Sequence, residues 1–194
     1  MSYMGLNIGF NFEEKHLGGN ILEGDPFTFA PNVWNYLIDR FALKSVLDLG
    51  SGVGHAANYF FNKNIQVVAV DGLKDNCERA VYPTIQIDLT KTKITCKVDL
   101  VHCQEVVEHI EDTYIDNLMQ SLSCGNLILM THALPGQGGH HHVNEQLPEY
   151  WIEQLKNYGY KIMQEDTRRI RLLAKQDEAH YLSNTALLAT KENK

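Results

Sequence analysis

Three glycines at alternate positions, Gly50, Gly52 and Gly54, follow the short apolar run that begins at Ser45 and precede a stretch, Val53 to Asn62, that reads as helix. Glycine at a strand-to-helix turn lets backbone amides come close to a ligand and aims a helix N-terminus at it. The next β-branched run, Ile65-Gln-Val-Val-Ala-Val70, ends at Asp71. A carboxylate in that place can accept hydrogen bonds from a ribose diol. The two strands and the helix between them make a β-α-β unit, and its Gly-rich turn with an acid on the second strand points to a nucleoside-bearing ligand.

The alternation continues along the chain. Upstream, Pro31 suits a first helical turn, and Val33, Trp34, Leu37, Ile38 and Phe41 recur at helical spacing. Downstream the pattern predicts a helix near Lys74 to Val81, strands at Thr84 to Ile87 and Val98 to Cys103, a helix at Ile110 to Ser121 and a strand at Asn126 to Met130. A Gly- and His-rich loop, Thr131 to Leu147, leads to a helix opening at Pro148. A strand at Tyr160 to Glu165, a helix at Thr167 to Gln176 and a last strand at Tyr181 to Thr190 follow. The expected class is α/β: a doubly wound, mostly parallel seven-stranded sheet with helices on both faces and ligands at the carboxyl ends of the strands. With 194 residues the chain fits one domain. The expectation is a single domain over 31–194 and an irregular arm over 1–30, rich in Gly and Asn, that folds over a site.

Charge narrows the partners. The formal net charge is −7, which repels polyanions and argues against nucleic acid. Arg168, Arg169 and Arg171 form the one dense cationic cluster and read as a solvated helix face. The four cysteines, Cys77, Cys96, Cys103 and Cys124, show no C-x-x-C pairing, as expected of free thiols in a reducing compartment. No apolar stretch approaches the roughly 20 residues of a membrane span. A cytoplasmic location is expected by default, and the oligomeric state is left open.

With Asp48 two residues before Gly50, the segment Asp48-Leu-Gly50-Ser51-Gly52-Val-Gly54 resembles the first motif of the class I S-adenosylmethionine-dependent methyltransferases. Dinucleotide enzymes more often carry G-x-G-x-x-G; a nicotinamide-dependent oxidoreductase is the alternative there. The resemblance implies a Rossmann-like methyltransferase fold with S-adenosylmethionine as cofactor. It places Asp48, Gly50, Gly52 and Gly54 at the methionine part, Asp71 at the ribose, and Asp88, in Ile87-Asp88-Leu89, at the adenine amino group. Ser51, Gly72, Leu89 and Gln104 join them as cofactor-binding positions.

Glu105, Glu108 and His109 come directly after the Val98–Cys103 strand. If a helical turn starts there, positions i, i+3 and i+4 share one face and the three groups converge as a divalent-cation site. The E-x-x-E-H pattern with a later histidine resembles the metal-dependent O-methyltransferases, among them small-RNA 3′-end 2′-O-methyltransferases and ubiquinone-pathway O-methyltransferases. That resemblance implies Glu105, Glu108 and His109 as ligands, with His142 as the fourth and His141 as its alternate. Carboxylate and imidazole donors suit Mg²⁺, Mn²⁺ or Fe²⁺, with Zn²⁺ still open. His140, His141 and Glu145 are the candidate general bases.

A metal that stabilises an oxyanion favours a hydroxyl acceptor, and the lack of a large lid favours a sugar or glycan. The alternatives are 2′-O-methylation of RNA and a non-catalytic cofactor-binding regulatory subunit. Trp34, Tyr150 and Trp151 can stack on a sugar ring or simply fill the core.

Overall fold

The computed structural model describes residues 2–3, 6–7, 15–17 and 21–192. Among them, two-residue strands Ser2–Tyr3 and Leu6–Asn7 pair with each other. The main sheet has seven strands: β1 (Ser45–Leu49), β2 (Gln66–Asp71), β3 (Thr84–Gln86), β4 (Val98–Cys103), β5 (Gly125–Met130), β6 (Tyr160–Ile162) and β7 (Leu187–Lys191). Their spatial order is β3-β2-β1-β4-β5-β7-β6. All pairings are parallel except those of β7 with β5 and β6. The expected class is met, with one antiparallel strand in a mostly parallel sheet.

Side chains alternate across each strand, so each strand feeds two cores. Leu47, Leu49, Val101, Ile128 and Met130 face one side, where they pack on α4 (Ile115–Leu122) and α5 (Pro148–Asn157). Val46, Leu100, Leu127, Leu129 and Leu188 face the other, against α1 (Pro31–Phe41), α2 (His55–Asn62), α6 (Gln164–Gln176) and α7 (His180–Thr185). Burial on both faces is why these strands read as continuous apolar runs. Each fully buried leucine contributes about 1.5–3 kcal/mol. A short helix, α3 (Lys74–Arg79), connects β2 to β3.

Three expected elements differ. The run from Tyr181 to Thr190 is not one strand: α7 occupies its first half and β7 its second, with Ala186 between them in extended backbone. Leu182 and Thr185, three apart, are buried on one helical face, and a short apolar run does not by itself separate helix from strand. The strand at Tyr160 stops at Ile162 because α6 begins at Gln164 with Glu165 and Asp166 in its first turn, where acids favour a helix start. The helix expected from Ile110 begins at Ile115, after a 3-10 turn at Asp112–Tyr114. The aromatic alternatives also divide. Trp34 and Trp151 are core residues, 1% and 0% exposed, and Tyr150 stacks edge-on against Trp151.

The chain winds outward from β1 through β2 to β3, then crosses back to β4. The direction reverses between β1 and β4, and a ligand crevice opens at the carboxyl ends of strands at such a switch point.

Candidate active site

β1 and β2 build one half of the crevice. Gly50 and Ser51 amides both donate to Val70 O at 2.9 Å. Gly50 has φ +73°, and a Cβ there would lie 2.2 Å from Val106 Cγ2. No other residue fits this turn without moving β4's exit. Asp71 accepts hydrogen bonds from the Gly52 amide at 2.8 Å, the Leu73 amide at 2.9 Å and Asn76 Nδ2 at 3.1 Å. Burial still raises its carboxyl above the ordinary value, against the lowering effect of those donors.

Asp88, past the end of β3, is held by Thr90 through both amide and hydroxyl, by His16 Nε2 at 3.1 Å and by Lys91 at 3.2 Å. Burial alone would raise it; the bonds from Thr90, His16 and Lys91 prevail and bring it to about 2.

Asp48 has a partner that sequence reasoning passed over. His102 on β4 lies opposite Asp48 in the sheet, and its Nδ1 is 2.8 Å from Asp48 Oδ1. Trp34 Nε1 lies 3.3 Å from His102 Nε2. An indole can only donate, so Nε2 accepts and Nδ1 donates to Asp48. A lone histidine in an apolar strand reads as core, and nothing local in the sequence ties it to Asp48. The other carboxylate oxygen of Asp48 is buried and receives no donor.

These groups open into a cavity of about 950 Å³. Asp48, Gly50, Ser51, Gly52, Asp71, Gly72, Asp88, Leu89 and Gln104 all line it. Gly54 is not among the lining residues; at φ +81° it starts α2, its amide bonded to Ser51 O. Ser51 Oγ and both amide atoms of Gln104 are buried with no protein partner. Such atoms cost free energy unless a ligand satisfies them. The cavity's size, its backbone loop and its two strand-end acids fit a methionine–nucleoside cofactor. The N-terminal segment contributes Leu17, Ile21, Thr28 and Phe29 to the same walls.

β4 and β5 build the other half. Glu105 adopts φ +56°, which breaks the chain out of helix; a 3-10 turn then spans Val107–His109. The expected helical face shared by Glu105, Glu108 and His109 therefore does not form. Instead Glu108 and His109 meet His142 from the loop after β5, one donor atom of each lying within 4.8 Å of the others. Val143 and Asn144 amides donate to Glu108 O at 2.9 and 3.0 Å and clamp the loop onto the turn.

Glu108 is 0% exposed, and neither carboxylate oxygen receives a hydrogen from the protein. The acid in reach of it is Glu105, itself held by the Thr131 hydroxyl at 2.8 Å. Burial pushes Glu105 up to about 7 and Glu108 well above its ordinary range, with Glu105 adding repulsion. Burial also drives His109 down to about 3, helped by the neighbouring histidines. It is a neutral imidazole with a buried, unpartnered Nδ1. Two close carboxyls and neutral imidazoles are a donor set for a divalent cation, which would replace the missing hydrogens.

The three consecutive histidines separate by position. His142 lines the cavity and its Nδ1 is 3.3 Å from Glu145 Oε1. Gly139 lies against the His142 ring: a Cβ there would be 2.4 Å from Nε2. His140 also lines the cavity; His141, at φ +51°, is not among the lining residues, and its ring centroid is 6.3 Å from that of His16. Glu145 accepts from the Gly136 and Gly138 amides at 2.7 and 2.6 Å, which with His142 hold its carboxyl below the ordinary value. It ties the loop together and orients His142, and is not among the cavity-lining residues.

The fold and this site define a S-adenosylmethionine (SAM)-dependent methyltransferase. Residues 28–176 match the methyltransferase domain family, and the chain belongs to it. It is similar to the ubiquinone biosynthesis O-methyltransferase of Rickettsia typhi, 27% identical over an alignment of 114 residues that covers 50% of this chain and 46% of that protein. This chain thus matches about half the length of that relative. A SAM-dependent methyltransferase from Archaeoglobus fulgidus shares the fold with TM-score 0.59 at 17% identity, over 88% of this chain and 96% of that one. Magnesium protoporphyrin IX methyltransferase from Synechocystis PCC 6803, with bound SAM, gives 0.59 at 16% identity, over 82% and 76%. Among the described residues no helix is long and apolar enough to cross a membrane.

Proposed function

We propose that the chain is a divalent-metal-dependent O-methyltransferase acting on a hydroxyl of a saccharide. One observation carries this reading: Glu108, fully buried with two oxygens that receive no donor, beside His109 and His142 and within reach of Glu105. Ionised, a carboxyl so placed destabilises the fold unless a cation compensates it; with no cation, burial keeps its proton on.

Methyl transfer needs the acceptor oxygen aligned with the sulfonium carbon and relieved of its proton. SAM supplies the activated methyl group, and a cation held here would lower the pKa of an acceptor hydroxyl. The chain's residues do the rest. Asp71 and Asp88 accept from ribose hydroxyls and an adenine amino group. Asp48, fixed by His102, offers its free oxygen to the cofactor's ammonium, and Gln104 can bond the cofactor or acceptor. Glu108, His109 and His142 would hold the cation, with Glu105 in reach of Glu108 as a further carboxyl ligand. His140, at the lip beside His142, is the base candidate; Glu145 is committed to the loop amides.

A polyol suits the open end of the cavity, where Asp25, Thr28, Gln137 and Tyr181 offer polar groups around the half-exposed ring of Phe29. The net charge of −7 disfavours RNA. The test is transfer of labelled methyl from SAM to simple glycosides with added Mn²⁺ or Mg²⁺, and again with excess chelator. Ether formation that needs metal is the expected result. Equal transfer under chelator would overturn the metal assignment, and methylation of nitrogen or carbon acceptors alone would overturn the hydroxyl.

A further inference from the structure

Among the described residues that line the cavity there is no lysine and no arginine. Seven carboxyl groups line it: Asp48, Asp71 and Asp88 toward the cofactor end, Glu105 beside the cation donors, and Glu23, Asp25 and Asp177 toward the open end. Lys91, close by, is paired with Asp88 and is not part of the lining. The imbalance suits SAM, whose sulfonium gives it a net positive charge. It offers an anionic acceptor no lysine or arginine among the described lining residues.

The open-end acids are built into the walls. Asp25 accepts from the Phe27 amide at 2.8 Å and from the Tyr181 hydroxyl at 3.0 Å, which ties the N-terminal segment to α7. Asp177 accepts from the amide and side chain of Asn32 at the start of α1. A bound divalent cation offsets Glu105 and Glu108 but leaves Asp25, Asp177 and Glu23 facing the acceptor. The polar atoms of Gln104, 9% exposed and unpartnered, can serve a neutral ligand as donor and acceptor alike.

We infer that the acceptor carries no negative charge near the reacting hydroxyl: it is a neutral or amine-bearing polyol, and phosphorylated sugars, nucleotide sugars, uronates and RNA termini are rejected. The selectivity is electrostatic exclusion, since a phosphate or carboxylate entering this cavity loses its hydration and meets like charge. The inference rests on the hydroxyl-transfer reading of the site, and the test separates the two.

The decisive experiment is calorimetry on protein loaded with S-adenosylhomocysteine and Mn²⁺, with catechol and 3,4-dihydroxybenzoate as matched diol probes that differ by one carboxylate. Catechol is expected to bind at least tenfold more tightly. Glu23→Lys reverses the charge of an exposed rim residue; it should narrow that ratio severalfold, and high salt should narrow it too. Equal or tighter binding of the benzoate would overturn the inference. In parallel, transfer to methyl glucoside, methyl galactoside and methyl mannoside is compared with their uronate and 6-phosphate counterparts. Faster turnover of any anionic member would also overturn it. Failure to methylate every glycoside would sink the saccharide reading alone, because the probe pair reports on charge without turnover.

Discussion

The acids beyond the strand ends of the two halves of the crevice are served in opposite ways. At the ends of β2 and β3, Asp71 and Asp88 are held by backbone amides, side-chain donors of their own loops and, for Asp88, His16, while one oxygen of Asp48 on β1 is left to a ligand. Beyond β4 and β5, Glu108 and the Nδ1 of His109 are buried with no donor or acceptor supplied by the chain. The first half is preorganised: its hydrogen bonds fix a loop shape that exists before any ligand arrives. The second half is a donor set whose electrostatics close only when something cationic enters. Cofactor binding and metal binding should therefore fail independently.

The largest break in that comparison is Glu108→Ala. It should lower metal-dependent methyl transfer by about a thousandfold, on the scale of losing an electrostatic group at a reacting centre, while S-adenosylhomocysteine affinity stays within about threefold. Parallel calorimetry and turnover read both quantities, and Glu108→Gln guards against collapse of the emptied space. A parallel loss of cofactor affinity would join the halves the account separates.

Asp71→Asn makes the converse cut. The amide cannot receive the Gly52 and Leu73 amides as a carboxylate does, so the Gly loop and the ribose site loosen together. Affinity for S-adenosylhomocysteine should fall by about tenfold or more, roughly one charged hydrogen bond, with Mn²⁺ affinity unchanged.

Gly139→Ala sharpens the second half alone. The added methyl would press on the His142 ring at 2.4 Å, so Mn²⁺ affinity should drop severalfold, up to about the hundredfold typical of disturbed ligand orientation. Cofactor affinity and far-UV signal should not change.

How much of this was readable in the sequence follows from how local each feature is. The Gly loop and Asp71 were legible because a strand, a turn and a strand end suffice to place them. Glu105 was misplaced because a non-glycine residue at positive φ leaves no mark in the sequence; the turn at Val107–His109 replaces the expected helical face. The choice between His141 and His142 was open because it depends on the clamp from Val143 and Asn144 to Glu108 O and on the space above Gly139. His102 was missed for a similar reason: its link to Asp48 exists only once β1 and β4 are neighbours. The run at Tyr181 was read as strand because apolar helix and buried strand look alike over a few residues.

The smallest expected effect concerns Glu105 and pH. Its carboxyl rises from the ordinary 4.5 to about 7, through burial first. A raised acid stabilises the fold fully below its unfolded value, and that contribution is lost as pH rises through the folded one. Glu105→Gln should thus gain stability relative to the parent chain as pH rises from about 4.5 to 7, by a few degrees in Tm, in the presence of chelator. The depressed histidines, His109 and His142, work in the opposite sense in both proteins and cancel in the difference. Excess Mn²⁺ should reverse the sign, since the parent then uses Glu105 to hold the ion.

The most direct test of the central claim is titration of Mn²⁺ into chelator-treated protein loaded with S-adenosylhomocysteine, followed by calorimetry and by the Mn²⁺ paramagnetic signal. One equivalent per chain should bind, and Glu108→Ala should abolish that binding. No saturable binding by the parent protein, or undiminished binding by Glu108→Ala, would contradict the reading of the β4–β5 half as a metal centre.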